Sequence, residues 1–193
     1  KCKTAPTYAV FIDQDVCFHT DFLLGNGNRQ VTPDNYYPAV CETLRNISTI
    51  FDLSLCVAGH PRSFGESKTL DHFEGIQMKY GVTAELIKDC TVVICHSSTA
   101  IQLAILFNKP IIIVTTAQLD KISVGQQSHV TAAELGSSVI YIDRDTSNID
   151  WLSELKIDNE KYAEYKRKYI KMDNTPEKQS WDIVIDYLEQ ANE

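Results

Sequence analysis

Residues 91–116 read TVVICHSSTAIQLAILFNKPIIIVTT, and this stretch decides the fold. Thr91–Cys95 is a short apolar run rich in β-branched residues, as is Pro110–Thr116, so each reads as a buried parallel strand. Between them His96–Thr99 forms a polar turn, and Ala100–Asn108 shows the apolar spacing of a helix. Strand, turn, helix and strand make one βαβ unit, which requires a parallel sheet with helices packed on its faces.

Working outward, the same alternation continues in both directions. Tyr8–Asp13 (YAVFID) reads as a buried strand that ends in an acid. Gln14–Pro33 holds Gly25, Asn26, Gly27 and Asn28 and reads as a long loop. A helix over Asp34–Phe51 follows, with Tyr37, Val40, Leu44, Ile47 and Ile50 on one stripe and Pro33 at its entry. Leu53–Ala58 is the next strand; a polar loop runs to about Asp71, and a weak strand falls within Glu74–Tyr80. Thr83–Asp89 reads as a short helix opened by a capping pattern at Gly81–Glu85. Beyond the central unit, Ala117–Gly136 ends as a helix closed by Gly136 at its C′ position, and Ser138–Ile142 is a last strand. Tyr162–Ile170 and Pro176–Leu188 read as terminal helices. The expected architecture is a doubly wound, Rossmann-like, mostly parallel sheet with helices on both faces. Residues 1–150 would form the ligand-binding domain, and residues 151–193 the helices that pack on it. In such sheets ligands bind beyond the carboxyl ends of the strands, where the strand order reverses.

The chain has 193 residues, 44% hydrophobic and 23% charged, enough for one large domain with a real core. A net charge of −8 argues against non-specific nucleic-acid binding, so an anionic ligand must be held by local groups. Six cysteines occur without a CxxC pair, several inside apolar runs. They read as buried thiols of a reduced, cytoplasmic protein rather than as a disulfide framework. No run approaches the roughly 18 apolar residues of a membrane span, and no signal peptide is visible. The chain opens on Lys1 without a Met, which leads us to expect a fragment or a processed form.

Three loops carry chemistry. At Ile94-Cys95-His96-Ser97-Ser98-Thr99-Ala100, unpaired backbone N–H groups and the hydroxyls of Ser97, Ser98 and Thr99 stand ready for a phosphate. The plainer alternative makes one of those hydroxyls an ordinary helix cap. His96 is an additional candidate there. After the second strand, His60-Pro61-Arg62 offers a bidentate guanidinium and a titratable imidazole on a loop fixed by proline, or simply a histidine bonded to backbone. Asp13 and Asp15 close the first strand, to orient a sugar hydroxyl, act as a base or cap the loop. Glu85 is placed either to accept both hydroxyls of a ribose or to be an exposed helix acid. His19, His72, His96 and His129 have no ligand-like spacing, so no metal site is expected. Glycine-rich dinucleotide and P-loop fingerprints are both absent.

Taken together, His60-Pro61-Arg62, Thr83-Ala84-Glu85-Leu86-Ile87, His96-Ser97-Ser98-Thr99-Ala100 and Asn108-Lys109-Pro110-Ile111-Ile112 resemble the C-terminal half of GT-B glycosyltransferases. The likeness is to bacterial surface-carbohydrate enzymes of the sialyltransferase-like and Kdo-transferase-like type, which carry an HP motif and an SS motif. It implies that His60 and Pro61 contact the phosphate or ribose side of a nucleotide sugar, such as a CMP-activated one, and that Ser97 and Ser98 bind its phosphate. The nucleotide sugar would be a substrate, with no cofactor and no metal required. The resemblance further implies a glycan or lipid-linked acceptor, an N-terminal half that does not fit in this chain, and peripheral association with the inner face of the membrane. In those enzymes the general base lies in the N-terminal half, so no catalytic residue is assigned here. Other readings of the same residues are a nucleotide-sugar 2-epimerase, a polyol-phosphate transferase of cell-wall polymers, and a non-catalytic nucleotide-binding or scaffold module.

Overall fold

The computed structural model describes residues 8–22, 30–63 and 71–191. Six strands form one sheet: β1 Tyr8–Ile12, β2 Ser54–Ala58, β3 Gln77–Lys79, β4 Val92–Cys95, β5 Ile111–Thr115 and β6 Val139–Tyr141. Their order is β3-β2-β1-β4-β5-β6, and every adjacent pair is parallel. Val10 is in register with Cys56 on one side and Val93 on the other. The chain therefore starts in the middle of the sheet, winds outward to β3, and returns to lay β4 against β1. That reversal leaves a crevice above the carboxyl ends of β1 and β4.

Successive side chains of a strand point to opposite faces, and the core divides accordingly. Ala9, Phe11, Val57, Ile94, Ile112 and Val114 pack on one face against α1 Pro33–Phe51, whose Tyr36, Val40, Leu44 and Ile47 are buried. Val10, Ile12, Cys56, Val93, Cys95 and Ile113 pack on the other, against α2 Thr83–Asp89 and α3 Ile101–Leu106. α4 Ser123–Leu135 adds Ala132 and Leu135 to that second layer. α4 ends as the sequence indicates, on Gly136 in the left-handed region with φ of 67°. Ile50, expected on the buried stripe of α1, is half exposed.

Several expected boundaries shift. α3 spans only Ile101–Leu106, not Ala100–Asn108, because Asn108 turns left-handed with φ of 52° to send the chain into β5. The capping pattern expected at Gly81–Glu85 is not realised: Val82 precedes α2 and no side chain caps it. One helix was not foreseen, α5 Trp151–Glu154, whose Trp151 is buried on the α1 face. α6 Asn159–Tyr165 buries Tyr162 on the opposite face and runs into a wider turn over Lys166–Ile170. α7 Ser180–Gln190 buries none of its residues. Cys17, Cys41, Cys56, Cys90 and Cys95 are buried free thiols. Among the described residues no helix is long and apolar enough to cross a membrane. The loop residues Gly25, Asn26, Gly27 and Asn28, and most of the polar loop before Asp71, lie outside the described residues.

Candidate functional site

β1 delivers Asp13 to the crevice. The Asp13 amide still donates to the Ala58 carbonyl at 3.0 Å, continuing the ladder one residue past the strand. Its Oδ1 accepts from the Asp15 amide at 3.0 Å, so the carboxyl caps the loop that it opens. Asp15 holds φ of 52°, a left-handed conformation that aspartate tolerates better than most residues. The chain then folds back, and the Asp15 carbonyl accepts from Phe18 and His19 at 3.0 and 2.8 Å. Burial pushes the Asp13 carboxyl up to about 6; the charge of Asp15 adds to this, while backbone donors of Asp15, His60 and Gln14 oppose it.

β2 delivers His60 and Pro61 through Gly59. A Cβ on Gly59 would lie 2.4 Å from the ring of Tyr80, so any larger residue here requires that ring to move. The Gly59 amide donates to the Lys79 carbonyl at 2.9 Å, which holds the loop over the sheet edge. Pro61–Ser63 makes one tight turn, tied by Ser63 Oγ donating to the His60 carbonyl at 2.8 Å. Partial burial, with the nearby charges of His19 and Arg62, holds the His60 imidazole below its ordinary range.

The turn after β4 divides sharply. His96 points into the core and is fully buried: Nδ1 donates to the Val114 carbonyl at 2.7 Å, and Nε2 lies 2.7 Å from the Tyr36 hydroxyl, which donates to it. Burial pushes this imidazole down to about 4. Ser97 is likewise turned inward, its Oγ donating to the Val124 carbonyl at 3.2 Å and its amide to Gln14 Oε1 at 3.0 Å. Ser98 and Thr99 face the crevice. Ser98 Oγ accepts from the Ala100 amide at 3.3 Å, and among the described residues no protein group accepts from the amides of Ser98 or Thr99.

Two adjoining cavities occupy the crevice, of about 540 and about 320 Å³. Asp13, His60, Ser98 and Thr99 line both; Pro61 and Thr83 line the larger, His19, Gln14 and Ser97 the smaller. Of the residues singled out in the sequence, His60, Pro61, Asp13, Ser97, Ser98 and Thr99 thus converge on one place. Four do not. His96 is sealed in the core, and Glu85 is exposed on α2, lining neither cavity. Asp15 lines neither cavity and accepts from Phe18 and His19 through its carbonyl, while Arg62 lines neither but contacts His19 and Asp21 of the smaller one, at 2.9 and 3.8 Å. Sequence reasoning passed over Gln14, which ties the end of β1 to the start of the Ser97 turn, and His19. Their position in the loop immediately after β1, at the switch point, was the signal available. Among the described residues no group of three metal-ligating side chains occurs.

The fold and crevice define a doubly wound α/β domain with two adjoining cavities at its topological switch point. No family model and no curated protein matches the chain. The chain is similar in structure to the glycotransferase of kitacinnamycin, at 12% sequence identity and a TM-score of 0.46. That match covers 86% of this chain and 40% of the glycotransferase.

Proposed function

We propose that the crevice binds the phosphate-bearing part of a nucleotide-activated sugar, and that the chain is the donor-binding half of a GT-B glycosyltransferase of surface-polysaccharide synthesis. The observation that carries this reading is the convergence of Asp13, His60, Ser98 and Thr99 on two adjoining cavities at the β1/β4 switch point. The uncommitted amides of Ser98 and Thr99 supply fixed donors for phosphate oxygens, and His60 supplies a further hydrogen bond. Cleavage of the sugar–phosphate bond leaves charge on the departing phosphate, and donors fixed in place beforehand stabilise that charge as it grows. Asp13, buried and capping its loop, lines both cavities with a carboxyl that can accept from a hydroxyl of the sugar or ribose. The acceptor, a glycan or lipid-linked chain at the inner membrane face, and the general base would come from a second half.

Calorimetric titration with CMP, UDP, GDP and CDP tests this directly. Saturable binding of at least one nucleotide is expected, and His60→Ala should weaken it about tenfold through loss of a hydrogen bond to a charged group. Absence of binding by all four would overturn the reading.

A further inference from the structure

His19 lines the smaller cavity, and its ring lies edge-on to that of His60 with centroids 5.2 Å apart. It is 9% exposed, and both of its nitrogens face donors. Nε2 lies 2.9 Å from Arg62 Nη1, and a guanidinium can only donate. Nδ1 lies 3.2 Å from the Asp21 amide, which also only donates. A neutral imidazole carries one proton and one lone pair, so it accepts from one of these groups and opposes the other with an N–H. Asp21 Oδ1, 3.7 Å from Nδ1 and 3.8 Å from Arg62 Nη1, is the nearby carboxylate of the cluster. The Arg62 side chain is 63% exposed and is held by these contacts beside the smaller cavity, which His19 and Asp21 line.

An anion in the cavity resolves this conflict without any change in total protons. It draws the Arg62 guanidinium to itself, the imidazole proton resides on Nε2 and points at the anion, and Nδ1 accepts from the Asp21 amide. We infer that His19 is a phosphate-binding residue of this site, donating from Nε2 to a phosphoryl oxygen and releasing Arg62 to the same group. The inference rests on the nucleotide reading for the identity of the ligand, but its chemistry requires only a phosphoryl group.

The test uses the full chain with CMP, CDP and inorganic pyrophosphate as separate probes. On saturation, 15N spectra of the imidazoles should show His19 as the Nε2-protonated tautomer. In calorimetry His19→Ala should weaken binding about tenfold, with His19→Gln recovering part of the loss because its amide donates. If the alanine variant does not fold, the wild-type 15N spectra decide. Unchanged His19 signals at saturation, or affinities of the folded variants within twofold of wild type, would overturn the assignment while leaving the nucleotide reading intact. Pyrophosphate binding that depends on His19, with no binding of either nucleotide, would support His19 and count against the nucleotide reading. Binding of none of the three probes would overturn the His19 assignment, and with no binding of UDP or GDP either it would overturn the nucleotide reading as well.

Discussion

β1 and β4 are neighbours in the sheet, and each ends on a buried titratable residue, Asp13 after Ile12 and His96 after Cys95. His96 has both nitrogens matched inside the protein, by Val114 and Tyr36, and its ring packs edge-on to Phe11 with centroids 5.7 Å apart. Asp13 accepts from the Asp15 amide, has backbone donors of Gln14 and His60 beside its carboxyl, and lines both cavities. Burial shifts each toward its neutral form, the histidine downward and the acid upward. Burial alone therefore does not separate core from site. The separation lies in whether the residue also lines a cavity, as Asp13 does and His96 does not.

The sharpest way to break this contrast is His96→Ala. It opens a void behind the sheet edge and strips partners from the Tyr36 hydroxyl and the Val114 carbonyl, so we expect a loss of about 3–5 kcal/mol in urea unfolding. A loss below about 1 kcal/mol would mean that His96 is not the structural member of the pair.

Acidification probes both residues at once. Folded His96 titrates near 4 against 6.5 in the unfolded chain, so the unfolded state binds the proton first and stability is lost as pH falls from about 6.5 toward 4. Folded Asp13 titrates near 6 against 3.8, so the folded state binds the proton first and stability is gained as pH falls through 6 toward 4. The two nearly cancel. Asp13→Asn removes one of them, and its stability should fall about 2 kcal/mol more than that of wild type between pH 6.5 and 4.5. Parallel pH profiles of the two proteins would show that Asp13 is not held protonated by burial.

The smallest effects separate two adjacent serines. Ser97→Ala removes a buried hydrogen bond to Val124 and should cost about 1 kcal/mol. Ser98→Ala, at the crevice, should leave stability within about 0.5 kcal/mol of wild type in the same denaturation series. A reversed order would place the boundary between core and site elsewhere on the turn.

The sheet was legible because its signals are local. Five-residue apolar runs, a strong amphipathic stripe in α1 and Gly136 at a helix end each determine their structure with little help from the rest of the chain. The site was legible only in part. The switch-point rule points to the loops after β1, β2 and β4, and all three meet there. Which way each side chain turns was a harder matter. Ile94 and His96 have the same parity, so the period-two alternation of β4 already placed His96 on the Phe11 face, whereas the hydroxyls of the turn that follows face the crevice only from Ser98 onward. Arg62 pairs with His19 across 43 positions of sequence, a contact that no local pattern encodes. α5 is a single turn held by the burial of Trp151, too short to show a period.

The central claim is that phosphate-bearing ligands enter between the ends of β1 and β4. Backbone 15N–1H spectra recorded during a CDP titration test it most directly. The account predicts that the Ser98, Thr99 and His60 amides shift with a common saturation curve, while Asp143 and Arg144, which line a separate cavity of about 470 Å³ beside β6, stay in place. Saturable shifts centred on Asp143 and Arg144, or none anywhere with CDP, CMP, UDP and GDP in turn, would contradict it.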